Sequence, residues 1–371
     1  MIHLRLATPD DDATLRALLR SNPMPGWVSM AMTREPSFFA GAGHFGREWV
    51  VLGHAAEDVG EKKDARRTGI GEAGEAVGMY VCTEQPLHWN GVQTQVGYLG
   101  GLRINPRYRH RLRLLKIGYA SIPHFTAECK AALWYTAIAS ENRTARRLLE
   151  AGLRGLPRYR PLNELVTLAL PKARGRRHGA WRRAMPGELE NLCRFHNQQA
   201  GRYQFSPVID PVRAEATGAV FYCIDGNAGP SAVMALWNQQ AYKQAMACAY
   251  RLPLNALLPL YNGYARLAKR IVLPPPGKAL DQTFLAFLAV SETCEDEFPM
   301  LIEDALALCP TAVMSLGLHA GHRWLDPVLK RFRPTAYRTW IYTVAFDDVV
   351  QHCACITLPD GRPAQPEVAV L

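Results

Sequence analysis

Apolar residues change period along the chain in a way that lays out strands and helices in turn. A short strand over Ile2 to Ala7 leads into a helix over Asp10 to Ser21, where Leu15, Leu18 and Leu19 recur at helical spacing. A helical or looped stretch then runs to Ala42, followed by a strand over Glu48 to Gly53. From His54 to Glu75 the chain is charged and glycine-rich with no apolar period, which reads as a mobile loop. Further strands are expected at Ala76 to Cys82, Val92 to Ile104, Leu133 to Ala139 and Leu165 to Leu170, with helices starting near Leu112 and at Asn142. Strands that alternate with helices only in part predict an α/β fold with a mixed sheet and helices on both faces.

The pattern then begins again. Arg182-Arg183-Ala184-Met185-Pro186-Gly187-Glu188 repeats the character of Arg5-Leu6-Ala7-Thr8-Pro9-Asp10-Asp11 177 positions later, and Leu189, Leu192 and Phe195 open another amphipathic helix. The strand around Thr343 lies 176 positions after that around Thr167, and Tyr337-Arg338 lies 178 after Tyr159-Arg160. Near-equal offsets across a whole half predict a tandem repeat. The division is residues 1–170, a basic linker at 171–179 (Pro171 to His178 reads PKARGRRH), a second copy at 180–349 and a tail at 350–371.

The length of 371 residues fits two domains better than one. No run approaches the roughly 18 apolar residues of a membrane-spanning helix, and the start lacks a basic region with an apolar signal core. A soluble, cytoplasmic protein with no membrane partner is expected. Nine scattered cysteines, with Cys353 and Cys355 the only close pair, read as reduced thiols, and no metal site is expected. The net charge of +10 asks for an acidic partner, which charge alone leaves open between nucleic acid, a membrane surface and a phosphorylated small molecule.

Two segments narrow that choice. Leu102 to Leu115 joins a buried strand to a helix, so backbone amides and the positive end of the helix dipole converge on one point, with Arg107, Arg109, Arg111 and Arg113 adding charge. Taken alone, an arginine cluster is more often a solvated helix start. In Asn142 to Leu153, Ala145, Leu148, Leu149 and Gly152 fall on one helix face, and capping by itself accounts for Asn142. The opening R-x-A-T-P-x-D, the strand-turn formed by Leu102, Ile104, Pro106 and Arg109, and the helix starting Asn142-Arg143-Thr144-Ala145 together resemble the GNAT superfamily of acetyl-coenzyme A-dependent N-acyltransferases over roughly Ile2 to Leu170.

The resemblance implies two tandem GNAT-like domains, each a mixed, mostly antiparallel sheet flanked by helices. It also implies acetyl-coenzyme A as acyl donor and a small-molecule or peptide amine as acceptor. A backbone N–H near Arg103 or Ile104 takes the thioester oxygen. Arg109, His110, Arg111, Leu112, Arg113 and Leu114 occupy the pyrophosphate loop, and Asn142 lies beside the pantetheine arm. Leu112 and Leu114 stand where the family has glycines, and Leu149 where it often has the tyrosine that protonates the thiolate. Tyr98 stands where some relatives carry a carboxylate base. The polar candidates for proton transfer are then Tyr159, Tyr98 and Glu84, with His88 beside Glu84; a structural tyrosine or a surface role is the plainer reading for each. In the second half, a strand over Phe284 to Val290 ends 186 positions after Ile104 and meets Glu292, Glu295, Asp296 and Glu297, which oppose a pyrophosphate. His319 and His322 there have no third metal ligand in sequence. The second copy is therefore expected to have lost the site. An N-acetyltransferase is the leading expectation; a non-catalytic sensing module and an RNA-binding or RNA-modifying protein are the alternatives.

Overall fold

In the computed structural model the runs of Val, Ile, Leu and aromatic residues form strands and the amphipathic segments form helices, over described residues 2–24, 26–44, 46–55, 74–109, 111–227, 229–346 and 358–371. His110, residues 56–73 of the expected loop, and Cys353 and Cys355 lie outside the described residues. The first half comprises β1 (Ile2–Leu6), α1 (Asp12–Arg20), β2 (Val28–Thr33), β3 (Arg47–Ala55), β4 (Ala76–Trp89), β5 (Val92–Ile104), α2 (Leu112–Phe125), β6 (Leu133–Ala139), α3 (Arg143–Glu150) and β7 (Arg158–Pro171). The second comprises β8 (Arg182–Arg183), α4 (Leu189–Ala200), α5 (Pro211–Ala216), β9 (Val220–Gly226), β10 (Gly229–Trp237), β11 (Gln244–Tyr250) and α6 (Leu254–Leu267). It continues with β12 (Gln282–Val290), α7 (Phe298–Leu308), β13 (Val313–His319), α8 (Leu325–Phe332) and β14 (Thr335–Ala345).

One sheet of 12 strands carries both halves, in the order β1-β3-β4-β5-β6-β14-β7-β13-β12-β10-β9-β8. Neighbours are antiparallel except β5 with β6 and β12 with β13. Read inward from either edge, the halves supply strands in matching order, but the last strand of each lies in the other's territory. β7 pairs with β13 from Val313↔Pro171 to His319↔Leu165, and β14 pairs with β6 from Thr339↔Ala139 to Val344↔Trp134. β2, in a stretch expected to be helical or looped, instead pairs with β11 as a separate two-stranded ribbon linking the halves.

Alternation along each strand sends side chains to two cores. In the first half, α1 covers Val50, Leu52, Met79 and Val81 on one face, while α2 and α3 cover Trp49, Cys82 and Leu99 on the other. The second half is likewise sandwiched, with α4 and α5 on one face and α7 and α8 on the other. The basic segment at 171–179 is not a loose linker. Asp304, fully buried on α7, accepts from the backbone amides of His178, Gly179 and Trp181 and pairs with Arg177 at 3.0 Å. Those donors hold its carboxyl below the usual range despite burial.

Candidate functional site

The two parallel strand pairs are where the sheet opens. β5 pairs with β6 only from Val96↔Leu133 to Leu99↔Thr136, the last rung tightened by Thr136 Oγ1 donating to the Leu99 carbonyl at 2.6 Å. Beyond it β5 runs on to Ile104 with no described strand bonded on that side, while β6, paired with β14 along its other edge from Trp134, continues to Ala139. The cause is a bulge. Val81 faces Gly100 and Met79 faces Arg103, so β5 carries one residue more than β4 across this step and bends away. Gly101 makes the bend at φ +60°, and a Cβ there would lie 2.7 Å from Val81 Cγ2. Only glycine meets both demands.

The turn after β5 aims at the mouth of this gap. Asn105 accepts from the Arg107 amide at 3.1 Å and caps the turn Pro106–Tyr108. α2 then starts at Leu112 with no side chain capping it, so its first amides remain directed donors. The Leu114 amide closes back on the Arg111 carbonyl at 2.9 Å, and the Leu112 side chain is partly exposed. Arg109 donates to Asn22 Oδ1 at 2.8 Å, Arg107 pairs with Glu75 at 3.1 Å, and Arg111 lies over the Tyr108 ring. Arg113 is exposed. Asn142 caps α3, its side chain accepting from the Ala145 amide at 3.2 Å.

The expected polar residues do not gather at one point. Tyr98 lies on the face opposite Leu99, against Tyr135 with ring centroids 4.9 Å apart. Burial pushes its hydroxyl up to about 12, so it stays protonated at neutral pH. Arg103 neighbours Tyr98 and Tyr337 of β14; it has no carboxylate partner among the described residues, and desolvation pulls it below its ordinary value. Tyr159 sits on the other face, buried under α2 and bonded to the Tyr119 hydroxyl at 2.7 Å, its own hydroxyl pushed well up by burial. Glu84 is tied to the Lys130 amide at 2.9 Å, and His88 is buried beside the Ser206 carbonyl. Leu149 is packed into the core between α3 and the sheet. Tyr337 and the Arg103 side chain are the polar groups not singled out from sequence; the tyrosine comes from a strand almost 240 positions away, and no local signal ties it to β5.

The second half repeats the opening and fills it. β12 pairs with β13 only from Gln282↔Val313 to Phe284↔Ser315, and a bulge against β10 centres on Phe287 at φ +52°. Phe287 lies 186 positions after Gly101, the offset the two strand ends show in sequence. Residues 358–371 enter this opening. Glu367 accepts from the Phe287 amide at 2.9 Å, Gln365 Oε1 from the His319 amide at 3.1 Å, and Val368 packs where Gly317 has no side chain. Burial raises the Glu367 carboxyl, against the pull of its backbone donors. Lys243 donates to the Ala369 and Leu371 carbonyls, and burial draws its amine down to about 7. What remains inside is a cavity of about 60 Å³. A wider cleft of about 570 Å³ lies outside it, lined by Arg202, Glu292, Asp296, His319 and His322. Neither cavity is lined by β5 or β6. Among the described residues no three His, Cys, Asp or Glu side chains cluster as metal ligands.

No family model matches the chain, and no curated protein matches it. Solved structures do. Saccharomyces cerevisiae N-myristoyltransferase with bound myristoyl-CoA is 11% identical, covering 92% of this chain and 82% of that one with a TM-score of 0.58. A second structure of the yeast enzyme with myristoyl-CoA, 10% identical, covers 93% of this chain and 79% of its own with a TM-score of 0.59. A GCN5-related N-acetyltransferase from Anabaena variabilis is 7% identical, covering 92% and 72% with a TM-score of 0.50. At such identities the likeness is one of fold, and the fold is GNAT-like, as the motifs of the first half imply.

Proposed function

We propose that the chain is an N-acyltransferase that binds an acyl-coenzyme A in the gap between β5 and β6 and transfers the acyl group to an amine of a small molecule or peptide. The observation that carries this reading is the parting of β5 from β6 at the Gly101 bulge, immediately before an uncapped helix start. An acyl-pantetheine arm is an extended chain with amide groups, suited to the freed edge of a strand. Its pyrophosphate suits the amides at the start of α2, with Arg109, Arg111 and Arg113 near by. On the same reading, residues 1–170 and 180–349 are copies of one domain that have exchanged their final strands.

The reaction requires the amine nitrogen to bond to the thioester carbon and release a proton to solvent while the carbon–sulfur bond breaks and the sulfur takes a proton, solvent then returning one to the donor. Backbone N–H groups at Arg103 and Ile104 would hold the oxygen as it gains charge. The Arg103 guanidinium stands beside Tyr98, the protonated hydroxyl we assign as donor to the departing sulfur. Tyr159, on the far face, is assigned to the core. Acetyl is the expected acyl group, but two of the similar structures hold myristoyl-CoA. Calorimetry with coenzyme A thioesters of increasing chain length measures both affinity and preference. Absence of heat with every thioester at millimolar concentration would overturn the proposal. Binding without turnover of any amine by wild type would leave a sensing role instead.

A further inference from the structure

We infer that α6 is a membrane-surface anchor that lays its exposed leucine face on an anionic lipid bilayer. Leu257, Leu260, Tyr264 and Leu267 recur at i, i+3, i+7 and i+10, one face of the helix, with Leu260 73% and Leu267 89% exposed. Leu252, 78% exposed, precedes the helix, and Trp27, 68% exposed, lies beside it, its carbonyl accepting from the Arg251 amide at 3.1 Å. Isolated exposed leucines are ordinary; a stripe of this kind rimmed by polar groups marks an interaction surface.

Charge identifies what covers it. From residue 226 to residue 280 the sequence contains no Asp or Glu, while Arg251, Arg266, Lys269 and Arg270 bracket the helix. Cations flanking an apolar face, with a tryptophan at its edge, match an anionic bilayer: the leucines enter the acyl boundary and the cations meet the headgroups. A second copy of this chain docked through the same face would bring like charges together. No helix among the described residues is long and apolar enough to cross a membrane, and that absence, which lay behind expecting no membrane partner, does not bear on a helix lying in the interface. The chain just past α6 is tied to the start of β14. Arg270 donates to the Arg333 carbonyl at 2.9 Å, just before β14 delivers Tyr337 beside Arg103. The inference does not depend on the acyltransferase reading.

Co-sedimentation of the full chain with phosphatidylcholine vesicles, with and without a quarter phosphatidylglycerol, tests it. Binding to the anionic vesicles alone is expected, falling as salt rises. Leu260→Ser with Leu267→Ser should weaken it at least tenfold while circular dichroism and melting stay those of wild type; exposed positions make misfolding avoidable. If the double variant does not fold, Lys269→Gln with Arg270→Gln should reduce anionic binding several-fold without touching the leucines. No binding to either vesicle overturns the inference in favour of a protein partner, as does a dimer that the leucine substitutions dissociate. Binding unaffected by both variant pairs overturns it as well.

Discussion

The β5/β6 and β12/β13 openings have the same strand geometry and opposite contents. Each follows four or three rungs of parallel pairing, and each is bent by a bulge at a residue with positive φ, Gly101 in one and Phe287 in the other. At the first, glycine leaves the backbone approachable and the turn beyond it is basic. At the second, a phenylalanine holds the left-handed conformation at a cost of roughly 1–2 kcal/mol. Packing against Phe221 and Trp237 offsets that cost, and residues 358–371 take the space a ligand would need. A parted strand pair is therefore not by itself open space: the residue at its bulge and the segment packed into it decide that.

Removing residues 358–371 is the largest perturbation of this contrast. It takes buried Ala364, Val368 and Ala369 out of the core and removes the acceptor of the Phe287 amide and two acceptors of Lys243, so the melting temperature should fall by about 10 °C or more in calorimetry. Gly101→Val strikes the other opening. It meets both a positive φ and the Val81 contact, and should cost about 3 kcal/mol in urea unfolding while lowering acyl-coenzyme A affinity at least a hundredfold. Phe287→Ala, at a comparable cost in stability, should leave that affinity unchanged.

Acid should weaken the filled half first. Burial holds His196 and His319 down to about 4 and His322 to about 3, below the ordinary 6.5 of the unfolded chain. The unfolded state therefore binds more protons as pH falls from 6.5 towards 3, and stability present above pH 6.5 is lost across that window, by a few kcal/mol for the cluster. Urea midpoints at pH 7.5 and 5.0 measure it, and His322→Asn should reduce the difference by about a third. The smallest effect is expected from Arg109→Ala, which loses a bond to Asn22 and one charge at the α2 start: a five- to tenfold drop in acyl-coenzyme A affinity with stability within about 0.5 kcal/mol. An unchanged affinity would place the phosphates elsewhere.

Much of this was legible along the chain. The apolar run from Leu133 to Ala139 is β6 to the residue, and Asn142 caps α3 as its position before Ala145 suggests. β2 was not legible, because Val28 to Thr33 forms a ribbon only through pairing with β11, more than 200 positions away. PKARGRRH reads as a linker because its charges are local, whereas the carboxylate that pins its end, Asp304, arrives on a distant helix. Tyr98 and Tyr159 look equivalent in sequence; the sheet puts them on opposite faces.

Local rules determined most elements and the basic turn before Leu112, since periodicity, capping and charge act over a few residues. Only the tertiary structure decided that both halves share one sheet, that β7 and β14 cross into each other's territory, that Tyr337 stands beside Arg103, and that residues 358–371 fill the second opening. Those outcomes rest on hydrogen bonds and burial between segments far apart in the chain, and no window of neighbouring residues carries that information.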